Sequence, residues 1–278
     1  MKGILYIDGI DAYEAYGISL SDISYDDLVC LPEMKPVAFN DWHEKNGIDP
    51  DLSAPVIAAK DVILNFYVSD STSSYSAFLD ALSDGSYHNF NFKEIGISKK
   101  LRLKKSSNLK SILGLGSFSL TFSDDDPSDG LVYENPSSDI AKLGDYLLDG
   151  VDFAHYGIRM LNGTLDSIQQ RAEVKENLKR NISVVSGVIY DDSEVRYESR
   201  TAQLRCFMRA SSPSEFWRNR NALLHDLTKV GERTLTVSQI GKQIPCYYKK
   251  CDVKCFFPDR GKFWFEFTLS LEFFKGVI

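Results

Sequence analysis

The chain has 278 residues, enough for about two domains at roughly 150 residues each. Apolar residues at 43% and charged residues at 26% describe an ordinary globular composition, and they exclude collagen-like, disordered and small disulfide-framework chains. A net charge of −7 argues against a protein that grips nucleic acid through a basic surface, although an acidic surface suits a channel through which DNA slides.

No run of about 18 apolar residues occurs, so no membrane insertion is expected. The opening Met1–Gly9 is too poor in apolar residues for a secretion signal, which needs a stretch of about 7–15. The chain is therefore expected to stay in the compartment where it is made. Its five cysteines, an odd number, are expected as reduced thiols.

In chain order, a strand comes first, then a short amphipathic turn over 24–31. Residues 36–70 carry few helical signals and read as strands with a long loop. A helix follows, with Tyr75, Phe78, Leu79 and Leu82 on one face, Ser73 or Ser74 as its cap and Gly85 just past its end. Gly114-Leu115-Gly116 predicts a bulge or bend before a strand holding Phe118, Leu120 and Phe122. The stretch SDDDPSDGLVYENPSSDI, residues 123–140, reads as a solvated linker, with a short helical turn after Ser138.

The second half repeats the order. A short turn over 164–172 precedes strands at Val184-Val185, Val188-Ile189-Tyr190 and Ala202–Phe207 around an Asp191-Asp192-Ser193 turn. Ser212-Pro213-Ser214-Glu215 is a capping box opening a helix that buries Phe216, Leu223, Leu224 and Leu227. The final hairpin turns at Pro258-Asp259-Arg260-Gly261. One of its strands points Cys251, Val253, Cys255 and Phe257 inward. The other points Phe263, Phe265, Phe267, Leu269, Leu271 and Phe273 inward.

The halves align residue by residue. Asp8-Gly9…Tyr16-Gly17-Ile18 matches Asp149-Gly150…Tyr156-Gly157-Ile158, with an offset of 140 after one deletion. Glu33-Met34-Lys35 meets Glu173-Val174-Lys175 at the same offset. Phe66, Tyr75 and Ala81-Leu82 then meet Phe207, Phe216 and Ala222-Leu223 at 141. Ile95-Gly96 and Lys104-Lys105 meet Ile240-Gly241 and Lys249-Lys250 at 145. This predicts a tandem duplication. The expected modules are 1–135 and 147–278, joined by a linker at 136–146. Each is expected to be α+β, mainly antiparallel β, with one packed α-helix.

The chain offers little for catalysis. None of His43, His88, His155 and His225 has metal-binding spacing, and nucleophile elbows and phosphate-binding glycine loops are absent. Cys246, Cys251 and Cys255 are spaced wrongly for a zinc site and read as buried thiols. Asp124–Gly130 fails the calcium-loop pattern, since its twelfth position falls on Pro136. No catalytic, cofactor-binding or metal-binding residue is assigned, and no cofactor is expected. Two alternatives stay open: a carbohydrate- or receptor-binding surface at Trp42, Trp217 or Trp264, and a hydrolase using a carboxylate pair that nothing singles out.

Residues 1–140 hold 11 Lys and Arg against 22 Asp and Glu, while the remainder is net positive by four. Similar units of opposite charge suit alternation around a ring. The pattern resembles the phage tail-tube fold, above all the distal tail proteins of long-tailed phages. The resemblance is carried by Asp8-Gly9…Tyr16-Gly17-Ile18 and Glu33-Met34-Lys35 with their counterparts Asp149-Gly150…Tyr156-Gly157-Ile158 and Leu165–Lys175, and by Ser212–Trp217…Leu223-Leu224 followed by strands.

The resemblance implies two tail-tube-like β-sandwich modules, and a ring at the distal end of the tail tube, around the DNA channel, joining tube to tail tip. Its implied partners are further copies of itself, as a trimer of tandem modules or a hexamer, with the tube, tape-measure and tail-tip proteins. The implied location is the virion tail, reached through the host cytoplasm. The tandem arrangement departs from the family's single ring domain and leaves the stoichiometry open between trimer and hexamer.

Overall fold

The computed structural model describes all residues except 1, 22–24, 69–71, 113–114, 130, 177–178, 191–194 and 277–278. In the first half, β1 (Leu5–Ile7), β2 (Ile10–Asp11), α1 (Ala12–Tyr16), β3 (Ile18–Leu20) and α2 (Asp26–Val29) lead to a small hairpin, β4 (Phe39–Asn40) and β5 (Asp49–Pro50). There follow β6 (Lys60–Val68), α3 (Thr72–Leu82), β7 (Tyr87–Phe92), β8 (Ile97–Ser106), β9 (Lys110–Ile112) and β10 (Leu115–Asp124).

The second half holds β11 (Tyr146–Leu148), β12 (Val151–Asp152), a 3₁₀ turn (Phe153–Tyr156), β13 (Ile158–Met160) and α4 (Thr164–Gln169). A second small hairpin, β14 (Lys179–Arg180) and β15 (Ile189–Tyr190), precedes β16 (Arg200–Ala210), α5 (Pro213–Leu227) and β17 (Arg233–Val237). The chain ends in β18 (Lys242–Asp259) and β19 (Lys262–Phe273). The fold is α+β, dominated by antiparallel sheet.

The two large sheets have the same strand order. The first runs β2-β1-β7-β8-β10-β6-β3, with β9 added beside β10, and the second runs β12-β11-β17-β18-β19-β16-β13. Local chemistry repeats with it. Asp8 and Asp149 adopt positive φ ahead of Gly9 and Gly150, the backbone of a tight hairpin turn. Each Asp carboxylate then accepts a backbone N–H across the sheet, from Asn89 at 2.8 Å and Thr234 at 2.7 Å. The second carboxylate oxygen meets His88 Nδ1 in the first half and Arg233 Nη1 in the second, both at 2.7 Å. Asp11 and Asp152 cap the next turn, accepting from Tyr13 N and Ala154 N at 2.8 Å.

A bulge falls at matching positions: Lys104 drops out of the β8–β10 ladder and Lys249 out of the β18–β19 ladder. The freed lysines reach the same place two strands away, Asp61 of β6 and Thr201 of β16. Lys104 pairs with Asp61 at 2.7 Å, and Lys249 meets Thr201 and Glu272, each at 3.0 Å.

The strand register revises part of the sequence alignment. Ile18 pairs with Val68 and Ile158 with Met208, which makes Cys206, not Phe207, the counterpart of Phe66. Cys206 is buried, like Phe66, whereas Phe207 sits on the opposite face, and a one-residue slip would exchange the two. A second bulge, at Lys254, turns Phe256 inward and leaves Phe257 57% exposed, reversing the expected alternation there. Strand β19 follows its expected pattern, with Phe263 to Phe273 buried at every second residue.

The capping box is present: Ser212 Oγ accepts from Glu215 N at 3.1 Å, and Phe216, Leu223, Leu224 and Leu227 are buried. The first-half helix begins at Thr72, so Ser73 and Ser74 lie inside its first turn rather than at its cap. Val184 and Val185 form the exposed bend between β14 and β15, not a strand, and the Asp191-Asp192-Ser193 turn lies outside the described residues. Gly114 is also outside them. Gly116 sits inside β10, where a Cβ would come within 2.6 Å of Val68 Cγ1, so it marks a close approach of side chains.

The described residues among 125–145 form no helix or strand, and no helical turn follows Ser138. This segment is fastened to α5. The buried Asn219 accepts from Ser137 N at 2.9 Å and donates to Ser137 O at 3.0 Å. Tyr133 stacks on the His225 ring at 4.1 Å.

The buried apolar residues of both halves belong to one continuous cluster, running from Leu5 in β1 to Phe273 in β19. Two like sheets therefore share a core in place of two separate ones. A chain built this way unfolds in one transition, with equal calorimetric and van't Hoff enthalpies in scanning calorimetry. Two resolved heat-absorption peaks would contradict the shared core.

Candidate assembly surface

The seam between the halves is built on buried polar contacts as well as apolar packing. Helix α2 lays Tyr25, Leu28 and Val29 against β18, where the Tyr25 ring meets Phe256 edge-on at 6.5 Å. The last turn of α2 leaves carbonyls without helical partners. Arg220 of α5 supplies them, donating from Nε to Val29 O at 2.8 Å and from Nη2 to Cys30 O at 2.7 Å. Lys60 Nζ adds a bond to Cys30 O at 2.9 Å and another to Asp27 O. Burial lowers the Lys60 ammonium to about 8 and pulls the Arg220 guanidinium below its usual range. Two cations are thus held on neutral carbonyls, where each hydrogen bond to a charged group strengthens the seam.

Beyond α2, the chain continues across the second half. Met34 N donates to Lys249 O at 2.9 Å, Tyr248 OH to Pro32 O at 3.0 Å and Trp217 Nε1 to Ile95 O at 2.6 Å. The β4–β5 hairpin then caps the far end of β19. Its Ile48 and Leu52 pack on Tyr247 and Phe274 as a satellite apolar cluster. Lys175, fully buried, donates to Asp41 Oδ1 at 2.5 Å, Gly47 O at 2.5 Å and Trp42 O at 3.0 Å.

The residues considered for chemistry are dispersed. His88 is buried between Asp8 and Asp84, His225 pairs with Asp226, and His43 is exposed. Among the described residues, no group of three or more His, Cys, Asp or Glu is arranged to hold a metal. Cys246 and Cys251 are buried, and burial pushes the Cys246 thiol up to about 12. Cys30 differs: the Cys251 thiol, Lys60 and Arg220 bring its thiol down to about 7.

The acidic stretch is internally paired. Asp124 meets Lys99 at 3.0 Å, Asp125 meets Arg102 at 3.0 Å, and Asp126 closes a turn on Ser128. Hydrogen bonds from Ser123 and Tyr87, with Arg102 beside them, hold the Asp125 carboxyl down at about 2. Of the three tryptophans, Trp42 and Trp264 are exposed, but Trp217 is 9% exposed and belongs to the seam, which removes it from any exposed sugar-binding platform. Among the described residues, no helix is long and apolar enough to cross a membrane.

Sequence reading missed Arg220, Lys60 and Lys175 as seam residues. Charged residues read as solvent-facing, and only Lys175 carried a signal, as the match of Lys35 in the repeat.

Replacing Arg220 by alanine leaves Val29 O unpaired at the seam, so the variant should lose about 2–3 kcal/mol of stability. Urea denaturation compared with the unaltered chain measures this. A loss below about 0.5 kcal/mol would mean that the seam does not rest on this side chain.

No family model matches the chain, and no curated protein matches it. Among solved structures, it is similar to the crystal structure of SPP1 Dit (gp 19.1), described as a paradigm of hub adsorption apparatus in Gram-positive infecting phages. That similarity covers 97% of this chain and 97% of the other, at 9% sequence identity and a TM-score of 0.33. A likeness of that size carries no argument about fold or function, and the functional reading rests on the repeat and the seam within this chain.

Proposed function

We propose that this chain is a structural protein of a phage tail, forming a ring around the DNA channel at the distal end of the tail tube. The observation that carries the reading is the strand-for-strand repetition of one sheet, with the two copies fastened side by side by buried hydrogen bonds. A repeated unit that binds its own like is the element from which rings are built, because a head-to-tail contact closes when its rotation permits.

Three chains supply six like units, so the trimer of tandem modules is the assembly this reading favours over the hexamer. The resemblance of its motifs to those of the distal tail proteins supports a position between tube and tail tip, with the tube, tape-measure and tail-tip proteins as neighbours. The acidic first module and the net-positive second would alternate around the ring. DNA would pass through the lumen without sequence-specific contact, in a virion tail assembled in the host cytoplasm. The protein has no catalytic part in this role.

Native mass spectrometry and negative-stain electron microscopy of the purified chain test the reading. The expected species is a trimer appearing as a six-lobed ring with a central opening. A chain that stays monomeric up to the highest attainable concentration would overturn it.

A further inference from the structure

We propose that the seam within one chain recurs between chains: the β14–β15 hairpin of one copy docks on the first half of the next, as β4–β5 docks on the second half of its own. This rests on the ring reading and names the contact that would close it.

The two hairpins have the same shape. Their strand pairs, Phe39↔Pro50 with Asn40↔Asp49 and Lys179↔Tyr190 with Arg180↔Ile189, sit 140 residues apart. Lys45 N donates to Trp42 O at 3.1 Å and Val185 N to Ile182 O at 3.0 Å, again 140 apart. Gly47 and Gly187, both at positive φ, occupy the same place in each bend.

Their surroundings differ completely. Around Gly47 the hairpin is docked: a Cβ there would lie 1.7 Å from Phe274 O, Gly47 N donates to Tyr197 O at 2.7 Å, and Ile48 N donates to Phe274 O at 2.8 Å. Around Gly187 a Cβ would meet nothing within 4 Å. The apolar side chains beside it face solvent, with Val184 89%, Val185 48%, Val188 45% and Ile189 54% exposed. Four valines and isoleucines on one short hairpin are a patch with a purpose in binding rather than in solvation.

The receiving side recurs too. The docked hairpin is gripped by Lys175, whose neighbour Val174 bridges to Tyr197. In the first half Met34 bridges to Ile57 in the same way, and Lys35 N donates to Val56 O as Lys175 N donates to Arg196 O, both at 2.8 Å. Lys35 therefore stands where Lys175 stands, but it is exposed.

In the next copy, its ammonium would meet the Asn181 side chain and the carbonyls of Ile182 and Gly187, the counterparts of Asp41, Trp42 and Gly47. Arg102 and Asp125 take the places of Tyr247 and Phe274, and the exposed Gln169, Gln170 and Arg171 take those of Val29, Cys30 and Leu31. The contact between chains is thus more polar than the seam within the chain, as suits a surface that must be wetted before assembly. A second copy of this chain is the occupant, because the partner surface it needs is already present on the same molecule.

The test uses two exposed substitutions on the full chain, Lys35→Glu and Val188→Asp, with Ile189→Asp as a second hairpin variant should Val188→Asp lower the melting temperature. Each alone should weaken association at least tenfold and run as a monomer where the unaltered chain is a trimer. An equimolar mixture of Lys35→Glu and Val188→Asp should form a one-to-one dimer, since together they retain one intact contact. Light scattering after size exclusion, with native mass spectrometry, reads all three.

If either variant still forms the ring, the ring stands and this contact is overturned. If both are monomeric and their mixture makes no dimer, the head-to-tail pairing is overturned. If the unaltered chain never assembles, the ring reading fails and this contact fails with it.

Discussion

A buried guanidinium fixes how the two halves of this molecule meet. Among the described residues Arg220 pairs with no carboxylate; it donates to the carbonyls that end α2, Val29 O and Cys30 O, and to Asn221 Oδ1. Burying a cation is costly unless its hydrogen bonds are made, so this geometry tolerates little displacement. Once α2 is fixed there, the chain after it must cross the second sheet, and Met34, Ile48 and Gly47 fall onto Lys249, Phe274 and Tyr197 in sequence. The position of the first hairpin, the shared core and the exposure of the second hairpin all follow from that one docking.

Much of the fold was legible because strand and helix periods leave direct marks. Phe263 to Phe273 alternate as the expected inward face of β19, and the Ser212 capping box opens α5 where the sequence places it. The repeat was legible from Asp-Gly and Tyr-Gly-Ile because those residues hold turns with positive φ, where few others serve. What escaped was anything set by a single unpaired residue. The bulge at Lys254 inverts Phe256 and Phe257, and no local composition announces it. The seam cations escaped for a different reason: a lysine or arginine reads as solvated until a partner strand covers it. Val184 and Val185 have strand propensity, yet the bend of their hairpin overrides it.

The proposed duplication would account for an otherwise odd division of surfaces. One copy of the hairpin is consumed in joining the halves, and the other is left with its valines in water. The same holds for the lysines, Lys175 buried and Lys35 exposed. Around the docked hairpin the seam positions Val29, Leu31, Tyr247 and Phe274 are apolar, whereas their matches in the other half are glutamine or charged. The paired, low-lying carboxylate of Asp125 and its Arg102 partner belong to that second set.

The clasp between Ser137 and Asn219 has a mechanical meaning. A tether stitched to a helix at its midpoint is a fastened strap rather than a free linker, so the halves are not two beads on a string. In the proposed ring, the relation between the two units of one chain would then be set before assembly.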